Sequence, residues 1–400
     1  MKPIYIVSWL FALAVSFVSC DDWLDKTPKD RLYPDVYFKT EDELRLFTNQ
    51  FYNNLVPSAV DIYSESSDLI VKSDLMLEMS GQRIIPDEGN GWNFTALRDI
   101  NFYLQYSHNC TEVNARNRYD GVARFFRAYF YFEKVKRYGD IPWYDKALDS
   151  DDPELYKARD SREFVMQKML EDLDFAIANL PKTKNAYVLT RWTALALKSR
   201  VCLFEGTFRK YHGLEDCEKY LNACVSASET FMNESGYTLY KSGSTPYRDL
   251  FASINLQADE VIFGRDYEAS LSVLHNVQNY ENSTTMGRPG MNKKIVNSYL
   301  MADGSRFTDK AGYETMTFDQ ECQNRDPRLA QTIRTPGYTR IGSTKKEAPN
   351  LAYTMTGYHL IKYSMTANYD EYNKSCNDIP LFRTAEVYLN FAEAKAELGT

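Results

Sequence analysis

Residues 121–142 constrain the fold most strongly, because their pattern predicts a long helix that is buried on several sides. Apolar side chains cover more than one helical face and basic side chains fill the remainder; the apolar set is Val122, Phe125, Phe126, Tyr129, Phe130 and Phe132. Gly139 can adopt a left-handed helix end, and Pro142 cannot continue a helix. Ala123 and Ala128 leave room for a close neighbour. So aromatic a helix must lie between others, which predicts stacked helical pairs.

Length and composition narrow the class of protein. A chain of 400 residues can bury a large core in one or two domains. The net charge of −8 and the lack of a basic arm argue against nucleic-acid binding. Only four histidines are present, all far apart, so a histidine-dependent catalytic site is poorly supplied. The 30 tyrosines combine apolar area with a polar tip, which suits wet recognition surfaces as well as cores.

The N-terminus predicts export and a lipid anchor. Lys2 precedes an apolar run over residues 4–18 that is too short to span a bilayer but long enough for a signal-peptide core. The run ends at a small residue, Ser19, followed by Cys20. This order predicts a lipoprotein signal peptide over residues 1–19 and a diacylglyceryl group on the Cys20 thiol. The alternative is an ordinary signal peptide with an incidental cysteine.

The six other cysteines have no CxxC spacing, although export would permit disulfides. Cys217 and Cys224 are seven residues apart and near His212, which makes zinc conceivable. Buried cysteines that pack as small apolar residues are the favoured interpretation. We therefore expect no metal and no cofactor.

Further amphipathic segments flank the 121–142 helix. Thr40 and Glu43 have capping-box spacing ahead of one helix, and Asn93 can cap another. Later helices are predicted to open at Asp160 and at Thr190, the latter ending at Gly206, and to cover residues 215–232 and 382–398. Alternating helices with alanines at close-packing points are typical of tetratricopeptide repeats, although insertions break the period.

Several motifs resemble those of the SusD/RagB family of surface nutrient-binding lipoproteins from Bacteroidetes. The 121–142 helix carries the family's pattern, and the most specific motif is Asn-Arg-Asp-Pro-Arg-Leu at residues 324–329. Residues 297–307 resemble a third family element. The resemblance extends from Cys20 onward. Within the helix, the matching residues are Ala123, Phe125, Arg127, Ala128, Tyr131 and the run 138–142.

The resemblance implies a mostly α fold, in which a tetratricopeptide-like scaffold of helical pairs carries a long, irregular, loop-rich ligand-binding insertion. We expect a lipid-anchored linker at residues 20–39, a repeat scaffold with ligand-binding loops at 40–235, the insertion at 236–381 and the first helix of a last repeat at 382–400. Family members usually continue further, so the sequence is expected to be either a fragment or a truncated scaffold.

The resemblance also implies a function. Such a protein would capture oligosaccharides at the cell exterior and deliver them to a SusC-like TonB-dependent transporter in the outer membrane. A peptide or another nutrient is the alternative ligand. A surface glycoside hydrolase is less favoured, because it needs two carboxylates flanking a sugar bond and the 55 acidic residues show no such signature. No serine elbow, HExxH or phosphate loop is present, and no enzymatic activity is expected.

Two loop stretches have the aromatic and polar residues that sugar binding requires. The first contains Gln82, Arg83, Trp92 and Asn93, together with Asp87 and Asn90; the second contains Asn279, Tyr280 and Arg288, together with Tyr267, His275, Gln278 and Asn282. Trp92 directly precedes a predicted helix, so it can be a ligand platform or a core anchor. For Arg83 and Tyr280, simple solvation is the competing interpretation.

The 324–329 motif is predicted to be structural. Arg325 and Arg328 can hold carboxylates such as Asp326 by paired hydrogen bonds, and Pro327 stiffens the turn.

Overall fold

A computed structural model describes residues 34, 36–63, 68–86, 89 and 91–400. The predicted signal peptide, Cys20 and most of the predicted linker lie outside the described residues, as do Asp87 and Asn90. About half of the structure is helical (49%), which confirms the predicted mostly α class. Among the described residues, none of the helices is both long and apolar enough to cross a bilayer.

Long helices dominate residues 41–234, short elements dominate residues 246–383, and one further long helix follows. The helices are α1 Glu41–Leu55, α2 Leu77–Ser80, α3 Thr95–Tyr106, α4 Val113–Tyr138, α5 Arg162–Asn179, α6 Arg191–Tyr211, α7 Cys217–Glu234, α8 Pro246–Ala252, α9 Val277–Glu281, α10 Lys293–Ser298, α11 Phe318–Glu321 and α12 Thr384–Leu398. Strand β1 (Ile70–Val71) pairs antiparallel with β3 (Gly290–Met291), and β2 (Val261–Arg265) pairs antiparallel with β4 (Ile379–Arg383).

Helix α4 is the predicted central helix, and it begins earlier than expected, at Val113. Gly121 therefore lies inside the helix, where a Cβ would stand 3.3 Å from Cγ of Leu180, the residue that follows α5. The helix ends as predicted at Gly139, whose N–H donates to the Val135 carbonyl at 3.0 Å. The predicted left-handed conformation is wrong, because Gly139 combines a φ of +69° with a ψ of −111°. The whole of α4 packs between neighbouring helices, so its many aromatic rings are buried.

The first helices pack on α4 through aromatic rings. Phe38 is fully buried between α1 and α3, with its ring centroid 5.0 Å from that of Phe47 and 5.6 Å from that of Tyr103. Edge-to-face contacts of this kind stabilise a core beyond the apolar area that they bury. The capping box at the start of α1 is confirmed: the Glu43 N–H donates to Thr40 Oγ1 at 3.3 Å, and the Thr40 N–H donates to Glu43 Oε2 at 3.1 Å.

Buried ion pairs connect successive helices of the scaffold. Arg127 of α4 donates two hydrogen bonds of 2.7 Å to Asp172 of α5. Arg162 of α5 donates to Glu205 of α6 at 2.6 Å through its Nη2. Removing one partner of such a pair leaves an uncompensated buried charge, which is strongly destabilising. These pairs join α4 to α5 and α5 to α6.

The prediction that Gly206 ends a helix is wrong, because α6 continues to Tyr211. A Cβ on Gly206 would lie 2.7 Å from Leu221 Cγ in α7. The glycine therefore lets two helices approach closely. Ser199 and Ser228 cross the same interface with a 2.8 Å hydrogen bond between their hydroxyls.

The last helix also begins later than predicted. Phe382 lies in β4, and α12 starts at Thr384. The helix packs against α6 and α7, where Arg200 Nε donates to Glu386 at 2.5 Å and the Cys224 thiol lies 3.6 Å from the Asn390 carbonyl. Residues 382 and 383, which were predicted to start the helix, therefore belong to strand β4, which begins in the 236–381 region.

The six cysteines at positions 110, 202, 217, 224, 322 and 376 are all free thiols. His212 stacks on Phe208, with ring centroids 4.1 Å apart, and its Nδ1 lies 2.8 Å from the Phe208 carbonyl. Within the part of the chain that the structure describes, no group of three or more His, Cys, Asp or Glu side chains is placed to hold a metal ion.

The 324–329 motif braces the long insertion, and the two arginines act differently. Arg328 grips Asp326, with Nε–Oδ1 and Nη2–Oδ2 distances of 3.0 and 2.5 Å. Arg325 binds no carboxylate among the described residues. Its guanidinium donates to the carbonyls of Glu321, Val296 and Tyr299 at 2.6–2.8 Å. Pro327 accepts a hydrogen bond of 3.1 Å from the Gln331 amide.

Candidate functional site

A cleft of about 540 Å³ lies between the start of α3 and the loop that follows α4. Three aromatic side chains, Trp92, Phe94 and Tyr144, contribute to its walls. Four basic side chains also line it: Arg98, Lys146, Lys157 and Arg159. Neither an aspartate nor a glutamate is among its lining residues in the described part of the chain. Its volume is in the range typical of small-molecule sites, and the combination of aromatic walls with a few polar groups is typical of them as well.

The loop before α3 holds Trp92 in place through its backbone. The Trp92 N–H donates to the Gly89 carbonyl at 2.9 Å, and the Thr95 N–H at the start of α3 donates to Asn93 Oδ1 at 2.8 Å. Gly91 has a φ of +86°, a conformation that favours glycine, and its carbonyl accepts a hydrogen bond from Lys134 of α4. The loop is therefore tied to the scaffold on both sides of Trp92.

Trp92 is both a partial core anchor and an accessible ring. Its centroid lies 5.3 Å from that of Phe94 and 4.9 Å from that of Tyr138, both nearly perpendicular to it. The residue is nevertheless 39% exposed. The Arg159 guanidinium lies 4.9 Å from the ring centroid. The ring is thus held by contacts with two aromatic rings while part of it remains exposed.

The opposite wall is fixed by a buried hydrogen-bond network. The Tyr144 N–H donates to the Tyr131 hydroxyl at 2.6 Å, and this hydroxyl donates to the Pro142 carbonyl at 3.2 Å. Asn101 of α3 donates to the Tyr144 carbonyl at 2.8 Å and accepts from Arg127 at 3.3 Å. Burial raises the pKa of both Tyr131 and Tyr144, so both hydroxyls stay protonated. The wall is thereby linked to the buried Arg127–Asp172 pair.

Three of the four cations at the cleft have carboxylate partners. Arg98 Nη2 lies 3.8 Å from Asp149. Lys157 Nζ lies 2.9 Å from Asp160 and donates to the Trp143 carbonyl at 2.6 Å. Lys146 lies 2.9 Å from Glu154. For Arg159, no carboxylate lies within salt-bridge distance in the described part of the protein.

The structure separates the residues that the sequence suggested. Trp92 lines the cleft, and Asn93 adjoins it through the turn that starts α3. Gln82 and Arg83 are exposed, outside the cleft lining, and Arg83 Nε lies 3.5 Å from Glu78.

The second suggested stretch lies elsewhere in the fold. Tyr280 lines a smaller cleft of about 260 Å³, together with Tyr267 and His275. The Asn279 amide donates to the Asp370 carbonyl at 2.7 Å. Arg288 donates to the Leu351 and Ala352 carbonyls at 2.7 and 2.9 Å and has a φ of +52°. The clefts beside the two stretches have no lining residue in common.

Gln278 and Asn282 are buried and bonded to the protein. Gln278 donates to the Thr366 carbonyl at 2.7 Å and accepts from the Met365 N–H at 2.7 Å. Asn282 Oδ1 accepts from Arg334 and Arg340 at 2.7 and 3.0 Å. These contacts leave both side chains inside the insertion, where they connect its segments.

Sequence reasoning missed the second half of the cleft. Tyr144, Lys157 and Arg159 follow the end of α4 by up to about twenty residues and reach Trp92 only because α3 packs on α4. The only local signal was the Trp143–Tyr144 pair directly after Pro142, but both residues are buried in the core, so the pair did not distinguish a cleft wall from ordinary packing.

Two family models match the chain. One, described as the SusD family, matches residues 250–400, and the other, described as starch-binding associating with outer membrane, matches residues 81–191. The second match includes both walls of the cleft. The first includes the 324–329 motif.

Among curated relatives, a SusD-like protein of Formosa agariphila is 25% identical over 416 residues, covering 97% of this chain and 76% of its own length. The chain spans about half the length of two further SusD-like relatives from the same organism, at 43% and 52%.

Solved structures show the same fold. A SusD-like protein from Bacteroides fragilis matches with a TM-score of 0.72 and 21% identity, covering 94% of this chain and 78% of that one. A SusD-like carbohydrate-binding protein from the same organism also has a TM-score of 0.72, with 19% identity, covering 91% and 75%. A third, crystallised with a xylogluco-oligosaccharide, matches with a TM-score of 0.50 and 18% identity, covering 75% and 58%. The solved structures show the fold, and the two family models and the curated relatives, together with the motifs on α4 and at residues 324–329, show that the chain belongs to the SusD/RagB family.

Proposed function

We propose that the protein captures oligosaccharides at the bacterial surface and delivers them to a SusC-like TonB-dependent transporter in the outer membrane. A lipid on Cys20 would hold it on the exterior face, and the helical scaffold would dock on the transporter. The observation that carries the binding part of the proposal is the cleft beside Trp92, which offers an accessible aromatic ring and polar groups on a rigid frame. The names of the related proteins support a carbohydrate ligand.

The chemistry of the cleft suits sugar rings. Sugar C–H groups pack on flat aromatic faces, and Trp92 presents a partly exposed ring that contacts with Phe94 and Tyr138 hold in place. Lys157 and Arg98 add N–H donors that can reach hydroxyl oxygens at the walls. A frame held by buried hydrogen bonds needs little reordering when a ligand binds, which favours affinity.

The lining favours capture over hydrolysis. A glycosidase requires two carboxylates that flank the scissile bond. The described lining of this cleft contains neither aspartate nor glutamate. The carboxylates nearby, Asp149, Glu154 and Asp160, lie close to Arg98, Lys146 and Lys157 instead.

Trp92 and Asn93 are proposed as ligand contacts at the cleft. The predicted residues outside the cleft are proposed as additional, more distant ligand contacts. Arg83 and Gln82 precede the cleft loop in sequence, and Asn279, Tyr280 and Arg288 belong to the insertion. They would contact parts of a long ligand that extend beyond the cleft.

The test is a panel of plant, host and microbial glycans, with a peptide pool alongside. Retention on the protein and released reducing ends are measured in the same samples. We expect retention of at least one glycan without product, and its loss in Trp92→Ala. The matched control is Tyr372→Ala, which removes another exposed aromatic that is not part of the cleft lining.

Steady release of reducing ends would contradict capture without hydrolysis. Retention of peptides but of no glycan would favour the peptide alternative. Transporter delivery is tested separately, by co-purification of the protein with a SusC-like barrel. The co-purification should be lost when Cys20 carries no lipid and the scaffold is not held at the membrane.

A further inference from the structure

The charge of the cleft differs from that of the whole chain. The protein has a formal net charge of −8, whereas the cleft has four basic side chains in its lining and no acidic one among the described residues. A cation in a concave site attracts ligands of the opposite sign when no carboxylate compensates its charge.

The four cations are not equivalent. Arg98, Lys146 and Lys157 each have a carboxylate within 4 Å, so much of their charge is already compensated. Arg159 is exposed and has no such partner among the described residues. Its guanidinium instead rests over the Trp92 ring, with 4.9 Å between the guanidinium carbon and the ring centroid.

Arg159 and Trp92 lie against each other on the wall of the cleft. A guanidinium has a planar fork of donors that matches the two oxygens of a carboxylate or a sulfate ester. A sugar ring packed against the exposed part of Trp92 would place its substituents next to this fork. A neutral ligand would leave the guanidinium without a charged partner.

We propose that the cleft beside Trp92 binds acidic oligosaccharides, whose carboxylate or sulfate groups pair with Arg159 while a sugar ring packs on Trp92. This inference rests on the proposed glycan-binding function and specifies its ligand class. Lys157 and Arg98, on the same walls, donate to hydroxyl oxygens of the same ligand.

The experiment compares ligands that differ only in charge. Binding of an oligouronate and of its methyl ester to the purified full chain in detergent is measured by calorimetry, as is binding of a sulfated oligosaccharide and of its desulfated form. We expect the acidic form of at least one pair to bind about tenfold more tightly at low salt. The difference should shrink as salt rises, because exposed charges are screened.

Three variants locate the effect. Arg159→Gln should weaken the acidic ligand about fivefold, the size typical of a solvent-exposed ion pair, and leave the neutral form unchanged. Arg306→Gln removes the same charge from an exposed position outside the cleft lining and should change neither. Trp92→Ala should weaken both forms, because it removes the ring contact.

The outcomes separate the two proposals. Equal binding of the acidic and neutral forms, lost for both in Trp92→Ala, would overturn the acidic ligand class and leave glycan capture at this cleft standing. A charge preference that is undiminished in Arg159→Gln would also overturn the inference. Absence of binding for all four ligands, in the wild type and every variant, would overturn the inference. If the wider glycan panel is also not retained, oligosaccharide capture is overturned as well.

Discussion

Two buried histidines should make the protein sensitive to mild acid. In His359, the Nε2 lies 2.8 Å from the Glu281 carbonyl, and the Nδ1 accepts from the Asn350 N–H at 3.2 Å. His275 has the same arrangement, with Nε2 2.8 Å from the Asn377 carbonyl and Nδ1 accepting from the Val277 N–H at 3.2 Å. Both rings are therefore neutral with the proton on Nε2. A second proton, on Nδ1, would point at the backbone N–H that donates to this nitrogen, so two donors would face each other.

The pKa values follow from this burial. Desolvation lowers the pKa of His275 from 6.5 to about 4 and that of His359 from 6.5 to about 3, with Arg334 adding to the second shift. A lowered histidine pKa means that the unfolded chain binds the proton first. The contribution of each neutral histidine to the free energy of unfolding is complete above pH 6.5, and it is lost as the pH falls towards the folded-state pKa values.

The magnitude can be worked for pH 5. At this pH both folded-state pKa values are still below the solution pH, so the two histidines stay neutral in the folded protein. In the unfolded chain each histidine has a pKa of 6.5, about 1.5 units above the solution pH, and is protonated. At about 1.36 kcal/mol per unit this is about 2 kcal/mol for each ring and about 4 kcal/mol for both. Such a loss is a large part of the stability of a typical domain.

The assay is urea unfolding of the wild type and of His275→Gln and His359→Gln at pH 7.5 and 5.0. Each variant should lower the free energy of unfolding at pH 7.5 but lose about 2 kcal/mol less than the wild type between the two pH values. His212→Gln, which removes an exposed histidine at the end of α6, is the control for changed composition. An unchanged pH dependence in both buried-site variants, or an equal change in the control, would refute the reasoning.

Three further predictions test the scaffold. Gly206→Ala should lower the free energy of unfolding by about 1–2 kcal/mol, because a Cβ 2.7 Å from Leu221 overpacks the α6–α7 interface by more than the gain in helix propensity offsets; a stabilised variant in a thermal melt would contradict the close approach. Asp120→Asn should raise stability at neutral pH and lose this advantage as the pH falls, since burial raises the pKa of this carboxyl, whose Oδ1 is buried without a hydrogen-bond partner; melts with a pH-independent difference would argue against it. Asp172→Ala should cost about 3–5 kcal/mol by leaving Arg127 unpaired, whereas a double change to apolar residues should cost less, and denaturant unfolding showing equal losses would exclude a buried-charge penalty.

The sequence predicted the scaffold well because its signals are local. The burial of α4 follows from its aromatic content, and the start of α1 follows from Thr40 and Glu43, which bond to each other within four residues. Gly206 was misread for a physical reason. Glycine ends helices and also permits close helix packing, and only the position of Leu221 on another helix distinguishes the two roles.

The cleft was predicted only on one side because it joins distant parts of the chain. Trp92 was visible as an aromatic residue in a polar loop. Arg159 lies 67 positions later, and its place over the indole depends on how α3 and the loop after α4 pack, which no local pattern contains. Likewise, Arg325 was expected to bind a carboxylate, but the folded insertion brings three backbone carbonyls to it.

The most direct test of the account is a crystal structure of the chain with a retained oligosaccharide. We predict a sugar ring packed on Trp92 within the 540 Å³ cleft, with hydrogen bonds from Lys157, Arg98 or Arg159 to its oxygens. A ligand bound elsewhere, with Trp92 uncovered and Arg159 still resting on its ring, would contradict the assignment of this cleft as the capture site.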